Sequence, residues 1–136
     1  MTKPLAVPPD AERVIIDFLT TALAARSQDV TVGVDLPTTW TTTTKPHVQV
    51  ALDGTPSVQY PIMARASIRV TCWHAYTTTA KALAALCQAL LCAHPGSVSV
   101  ASVQPLTGVL PARDPDSGAQ LASVSVRVNL RMTVLA

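Results

Sequence analysis

The residues best able to do chemistry are concentrated in one part of the chain. All three cysteines and two of the three histidines lie within it: Cys72, His74, Cys87, Cys92 and His94. Thiolates and imidazoles are the usual protein ligands of zinc, and a cysteine activated by a histidine is a common nucleophile. Either chemistry requires that the surrounding secondary structure bring these side chains together.

The elements predicted around them keep them apart. Cys72 and His74 alternate on one face of a predicted strand, and the other residues of that face are apolar. Cys87 lies on the apolar side of a predicted helix, and Cys92 is five residues further on. Five residues rotate a side chain by about 140° around a helix, which places Cys92 on the polar side.

Metal ligation is therefore disfavoured, since structural zinc needs about four convergent ligands and the usual CxxC or HxxxH spacing is absent. We expect no metal, no cofactor and no catalytic residue, so that the protein is not an enzyme. The cysteines are then small core residues plus one half-exposed thiol. A thiol nucleophile, Cys72 or Cys87 paired with His47 or His94, stays open as the less favoured alternative.

Length, composition and charge favour some classes of protein and argue against others. The 136 residues suit a single domain over 1–136, and a chain that is 49% hydrophobic and 13% charged is typical of a subunit completed by its neighbours. A net charge of +2 is too small to indicate a nucleic-acid-binding domain. No signal-like or membrane-spanning apolar run is present, so we expect a soluble protein made in a cytosol, without a membrane partner.

Hydrophobic periodicity predicts two helices and five strands. The helices are predicted at 10–26 and 78–93, and the strands at 30–34, 47–52, 62–74, 98–104 and 122–134. Asp10 is the expected cap of the first helix, and one of Thr77–Thr79 that of the second. Two segments, 36–46 and 111–119, are expected to be long loops because they are rich in proline, threonine or turn residues.

The strands at 62–74 and 122–134 alternate strictly between apolar and polar residues. A sheet with one apolar face accepts helices on that face alone. The order α-β-β-β-α-β-β therefore predicts an α+β fold, a two-layer sandwich in which two helices cover one face of a mainly antiparallel sheet of four to five strands.

If those two strands are neighbours, Arg65, Arg69, Arg127 and Arg131 share the polar face. That face is either simply solvated or a contact surface, since guanidinium groups suit carboxylate and phosphate. Together with the loops and connections, it supplies the candidate contact residues with partners or with neighbouring subunits: Trp40, Lys45, Tyr60, Arg65, Arg69, Arg113, Asp114, Asp116, Arg127 and Arg131.

Five segments occur in a characteristic order along the chain. They are AERVIIDFL at 11–19, VDLP at 34–37, PHVQV at 46–50, ARASIRVTCWH at 64–74 and PARDPDSG at 111–118. In this order and at this length, the chain resembles the tail terminator, or tail completion, proteins of long-tailed bacteriophages.

The resemblance implies a structural virion protein that forms a ring, commonly hexameric, on the end of the tail tube. Such a ring stops tube polymerisation and joins the tail to the head-neck connector. Its partners would be copies of itself, the tail tube protein and connector proteins, with DNA passing through the lumen without sequence-specific binding. The protein would be made in the host bacterial cytoplasm and reside in the virion. Alternatives are another neck or head-completion protein, a tail tube subunit or, less favoured, a small thiol or metal enzyme.

Overall fold

The computed structural model of the chain describes residues 3–53 and 57–135. It contains two helices, α1 (Ala11–Ala25) and α2 (Thr77–Cys92). The strands are β1 (Ala6–Val7), β2 (Thr31–Gly33), β3 (His47–Leu52), β4 (Ser57–Gln59), β5 (Met63–His74), β6 (Val100–Arg113), β7 (Gln120–Arg131) and β8 (Thr133–Val134). Neither helix of the described chain is both long and apolar enough to cross a membrane.

Strands β2 to β7 form one sheet in the order β2-β3-β5-β7-β6, with β4 beside one end of β5. Its pairs are antiparallel except for β2 and β3, which run parallel. Strands β1 and β8 form a separate two-stranded antiparallel sheet. The predicted α+β class with two helices and a mainly antiparallel sheet is confirmed, and the short strands β1, β4 and β8 are added to it.

The core lies between the helices and one face of the sheet. The alternation in β5 and β7 places every second residue there, and the apolar members are buried: Ala64, Ala66, Ile68, Val70, Cys72, Ala122, Val124, Val126, Val128 and Leu130. The helices contribute a matching set: Ile15, Ile16, Leu19, Leu23, Ala80, Leu83, Ala84, Cys87 and Leu91. The opposite face of the sheet has no helix against it, and we call it the open face.

The first helix begins as the sequence predicts. Asp10 is its N-cap, and the Asp10 carboxylate accepts a hydrogen bond of 3.2 Å from the Arg13 amide. The predicted threonine cap of the second helix is wrong. Tyr76 is the N-cap of α2 and makes no side-chain cap bond, whereas the Thr79 hydroxyl donates back to the Tyr76 carbonyl.

Strand β6 is much longer than predicted. It runs through Pro105, Gly108 and Pro111, which sequence reasoning took for the end of a strand and the start of a loop. These residues are tolerated because β6 is an edge strand with irregular pairing between Pro105 and Thr107 and between Thr107 and Leu110. The predicted loop 111–119 is corrected accordingly: residues 111–113 belong to the strand, and only 114–119 form the turn.

The terminal strand predicted at 122–134 is also divided. β7 ends at Arg131, and the Met132 amide then donates to the Ile62 carbonyl over 3.1 Å. This bond continues the β5–β7 register by one residue, and beyond it Thr133–Val134 pair with β1 instead of β5.

Gln88 of α2 bridges the helix to the irregular part of β6. Its Nε2 donates to the Thr107 carbonyl at 2.7 Å and to the Ser125 carbonyl at 3.3 Å. Both carbonyls lie where the β6–β7 register shifts, which leaves them available to a side-chain donor.

Gln88→Met should lower the free energy of unfolding by about 1–2 kcal/mol, because two partly shielded carbonyls lose their donor while the side-chain volume is kept. Chemical denaturation is the measurement, with Gln104→Met on the exposed part of β6 as the matched control. A Gln88 variant as stable as the control would show that the bridge contributes nothing.

Candidate functional site

The two buried thiols belong to the core. Cys72 on β5 and Cys87 on α2 are both fully buried. A hydrogen bond with Cys87, reinforced by burial, raises the pKa of the Cys72 thiol well above its ordinary value. A protonated, buried thiol is a poor nucleophile and a poor metal ligand.

His74, on the same strand as Cys72, already uses one ring nitrogen in hydrogen bonds to neighbouring amides. His74 Nδ1 accepts hydrogen bonds from the amides of Ala75 and Tyr76 at 2.9 and 3.2 Å. Within residues 3–53 and 57–135, no three side chains of the histidine, cysteine, aspartate or glutamate types are grouped so that they could hold a metal ion.

Cys92 and His94, near the end of α2, make contacts separate from those of Cys72, Cys87 and His74. Cys92 is exposed, and its pKa is raised by desolvation, which keeps the thiol protonated at neutral pH. The His94 ring packs on Phe18 with centroids 4.4 Å apart, and its Nδ1 accepts from the Gly96 amide at 2.9 Å. The geometry thus gives no support to a thiol nucleophile built from Cys87 and His94.

His47 lies on the open face but is only 2% exposed. It is opposite Trp73 on β5, and its Nδ1 is 2.6 Å from the Thr31 hydroxyl. The chain between Gly33 and Pro46 covers it. Burial lowers the pKa of His47, an effect partly opposed by a backbone hydrogen bond at Asp35.

This burial predicts a pH dependence of stability. The folded-state pKa of His47 lies below its unfolded value of about 6.5, so the unfolded chain binds more protons as the pH falls below that value. The contribution of His47 to the free energy of unfolding should be constant above pH ~7 and should decrease as the pH falls below ~6.5. Denaturant unfolding at a series of pH values measures this slope.

The control is His47→Gln, which should flatten the slope between pH ~7 and ~5.5. It should not abolish the slope, because desolvation also lowers the pKa values of His74 and His94. A stability that rises on acidification through this range would contradict the assignment.

The four arginines of the polar strand faces do share one surface. β5 and β7 are direct neighbours, with Arg65 opposite Asn129, Arg69 opposite Ser125, Arg127 opposite Ser67 and Arg131 opposite Met63. Arg69 Nε is 4.0 Å from an Asp53 carboxylate oxygen, and Arg131 Nη1 donates to the Ser97 carbonyl at 3.5 Å. The open face is thus basic along its centre.

The segment predicted as loop 36–46 contains no helix or strand, and it is fastened to the open face rather than free. Trp40 is half-buried, with its ring edge-on to Trp73 at 5.9 Å between centroids. The Trp40 indole donates to the Lys45 carbonyl at 2.8 Å, and Lys45 Nζ forms a 3.1 Å ion pair with Asp29. Trp40 therefore fixes the loop over the end of the sheet.

The turn between β6 and β7 lies at this same end of the sheet. Asp114 organises it: its carboxylate accepts from the Ser117 hydroxyl at 2.6 Å, which lowers the pKa of Asp114. Asp116 is exposed, and so is Arg113 at the end of β6. Of the acidic residues in the turn, Asp116 is the one free to meet a partner.

An apolar surface at the opposite end of the molecule was missed by sequence reasoning. The Tyr60 hydroxyl donates to the Pro4 carbonyl at 2.6 Å and accepts from the Ala6 amide at 3.0 Å, so that β1, β8 and the β4–β5 turn are fastened together. The elements joined here leave six large apolar side chains at least 45% exposed. We call them the apolar end: Leu5, Val58, Tyr60, Ile62, Val134 and Leu135.

No protein-family model matches this chain, and no curated protein matches it. Inference about function therefore rests on the surfaces of the molecule and on the order of its sequence segments.

The structure separates the predicted contact residues into three groups. Five of them lie toward the end of the sheet that carries the 36–46 loop and the β6–β7 turn, which we call the loop end: Trp40, Lys45, Arg113, Asp114 and Asp116. The four arginines lie along the open face, and Tyr60 lies at the apolar end. The apolar end can be recognised only from the exposure of apolar side chains in the connecting segments. Sequence periodicity does not reveal which of these side chains are exposed.

Proposed function

We propose that this protein is a structural subunit that assembles with copies of itself into a ring and caps the tail tube of a long-tailed bacteriophage. On this proposal it stops tube polymerisation and joins the tail to the head-neck connector in the virion, and no side chain performs a reaction. The observation that carries the assembly part is the apolar end. The resemblance in the order of sequence segments supports the tail terminator role.

The apolar end has the properties expected of a subunit contact. Of the thirteen large apolar side chains that are exposed among the described residues, six form the apolar end, and clustered apolar exposure indicates a contact surface. Beside them is a cavity of about 220 Å³, whose walls are mostly apolar, with Pro8, Leu52 and Val58 among them, and also include the charged residues Asp10 and Arg65. A cavity with such walls accepts an apolar side chain from a neighbour, as an interface hot spot requires.

The long edge strand supports contacts through side chains rather than added strands. Proline lacks an amide hydrogen, so Pro105 and Pro111 interrupt the row of donors along β6, and the register shifts bend it further. Such an edge resists continuous pairing with another strand. We infer that ring contacts are made by packing at the apolar end, which leaves the loop end to face the tube or the connector.

Light scattering coupled to size exclusion, followed by negative-stain imaging, tests the proposal. The expected result is a discrete mass that is an integer multiple of the 14.3 kDa subunit, with closed rings in the images. Open-ended tubes would instead identify a tail tube subunit. A monomer that also fails to co-sediment with the tail tubes of its own phage would refute the proposal.

A further inference from the structure

A shallow polar cavity lies on the open face where β4, β5 and β7 meet. Its volume is about 200 Å³, and its walls are Ser57, Arg65, Ala66, Ser67 and Arg127. Two guanidinium groups and two hydroxyl groups line it, and no carboxylate does. The cavity therefore presents hydrogen-bond donors and positive charge without an internal counter-charge.

The sheet register holds the two arginines close together. Arg65 is opposite Asn129 and Arg127 is opposite Ser67, so the arginines are diagonal neighbours on adjacent strands, with Cα atoms roughly 7–8 Å apart. Arg131 is the other diagonal neighbour of Arg65. Like charges at this spacing repel each other, and an anion held between them would remove that repulsion.

The acidic side chains nearby do not neutralise this pair. Among the ion pairs formed by residues 3–53 and 57–135, none includes Arg65 or Arg127. Asp53, the carboxylate of this region, is directed to Arg69 in the next row of the open face. The cavity thus keeps two guanidinium groups whose forks are available to a ligand.

We propose that this cavity is an oxyanion-binding site whose ligand carries a phosphate or carboxylate group. Arg65 and Arg127 would each present paired N–H donors to the oxyanion, and the hydroxyls of Ser57 and Ser67 would donate to its remaining oxygens. The strands beneath hold the donors in place, so little ordering is needed on binding. This inference does not depend on ring formation.

Phosphorus NMR of inorganic phosphate, titrated with the protein at fixed ionic strength, is the test. The phosphate resonance should broaden saturably, and Arg127→Gln or Arg65→Gln should weaken the affinity by at least about tenfold, as expected for the loss of one charge-assisted contact. The control is Arg13→Gln, an exposed arginine on α1 that does not line the cavity, which should leave the broadening unchanged.

Competition identifies the source of the oxyanion. Acetate that displaces phosphate at equal concentration would indicate a carboxylate ligand from a protein, whereas displacement only at large excess would indicate a phosphate-bearing ligand. Broadening that is equally strong with Arg65→Gln and Arg127→Gln, or that chloride abolishes at a concentration equal to that of phosphate, would overturn the proposal.

Discussion

Replacing Ile62 by aspartate is expected to dissociate the proposed ring into monomers. Ile62 is 65% exposed at the apolar end, although its own backbone is fixed by the hydrogen bond from the Met132 amide to its carbonyl. An aspartate there should fold normally, because the side chain already faces water in the monomer. In an assembly it would place a charge in an apolar contact without a partner.

The expected magnitude follows from the behaviour of interface hot spots. Loss of a central apolar anchor costs about 2 kcal/mol or more, which raises the dissociation constant by roughly 30-fold. The added charge should increase the effect. Sedimentation velocity over a concentration series measures the shift from assembly to monomer, and denaturant unfolding of the monomer verifies that the fold is unchanged.

The matched control is Leu110→Asp on the edge strand β6. Leu110 is 59% exposed, so the two variants introduce the same charge at similarly exposed apolar positions. Leu110 lies opposite Ser123, toward the loop end of the sheet. Dissociation by Leu110→Asp together with an intact Ile62→Asp assembly would move the ring contact from the apolar end to the β6 edge.

The layer arrangement could be predicted because long strands carry a strong periodic signal. Strict alternation over β5 and β7 determines which residues enter the core, and a one-residue shift in register would expose the entire apolar set. The same alternation predicted that Arg65 and Arg127 would share a face once the two strands were neighbours. Pairing itself came from the fold, since the sequence contains no direct signal for it.

The apolar end could not be predicted because the strands that build it are too short to carry a periodic signal. β1, β4 and β8 are only two or three residues long, too short for any periodicity to appear. β1 and β8 are held by contacts with distant parts of the chain, since they pair with each other and the Tyr60 hydroxyl bonds to Pro4 and Ala6. A surface assembled from such segments becomes visible only when the tertiary structure is known.

The prolines of β6 led to a predicted strand that was too short. The threonine-rich composition of 36–46 predicted a loop but not whether that loop packs on the sheet. Proline ends most strands because it lacks an amide hydrogen. An edge strand such as β6 can nevertheless contain Pro105 and Pro111 without losing a hydrogen bond of the ladder. Trp40 has a single aromatic partner, Trp73, in a segment remote in sequence. Whether this loop is docked or free depends on that contact and on the ion pair between Lys45 and Asp29, and the threonine-rich composition determines neither.

Leu91→Ala is expected to lower the free energy of unfolding by about 3 kcal/mol, which corresponds to roughly 10 °C in Tm for a domain of this size. Leu91 is fully buried on α2, in the core that the helices form against the sheet. Removing it leaves a cavity that strands made of valine and alanine refill poorly, because their side chains are short and their rotamers few. Thermal and denaturant unfolding measure the loss.

Leu90→Ala is the control, since the neighbouring leucine is only half-buried against the same core and should cost about 1 kcal/mol. Equal losses for the two leucines would contradict the placement of α2 on the sheet. Taken with Ile62→Asp, this pair separates folding from assembly. Well below its Tm the Leu91 variant should associate like the wild type, because its apolar end is intact, whereas the Ile62 variant should keep its Tm as a monomer and fail to associate. A protein that acts through its surfaces requires the two properties to be separable in this way, because the core only holds the apolar end in position.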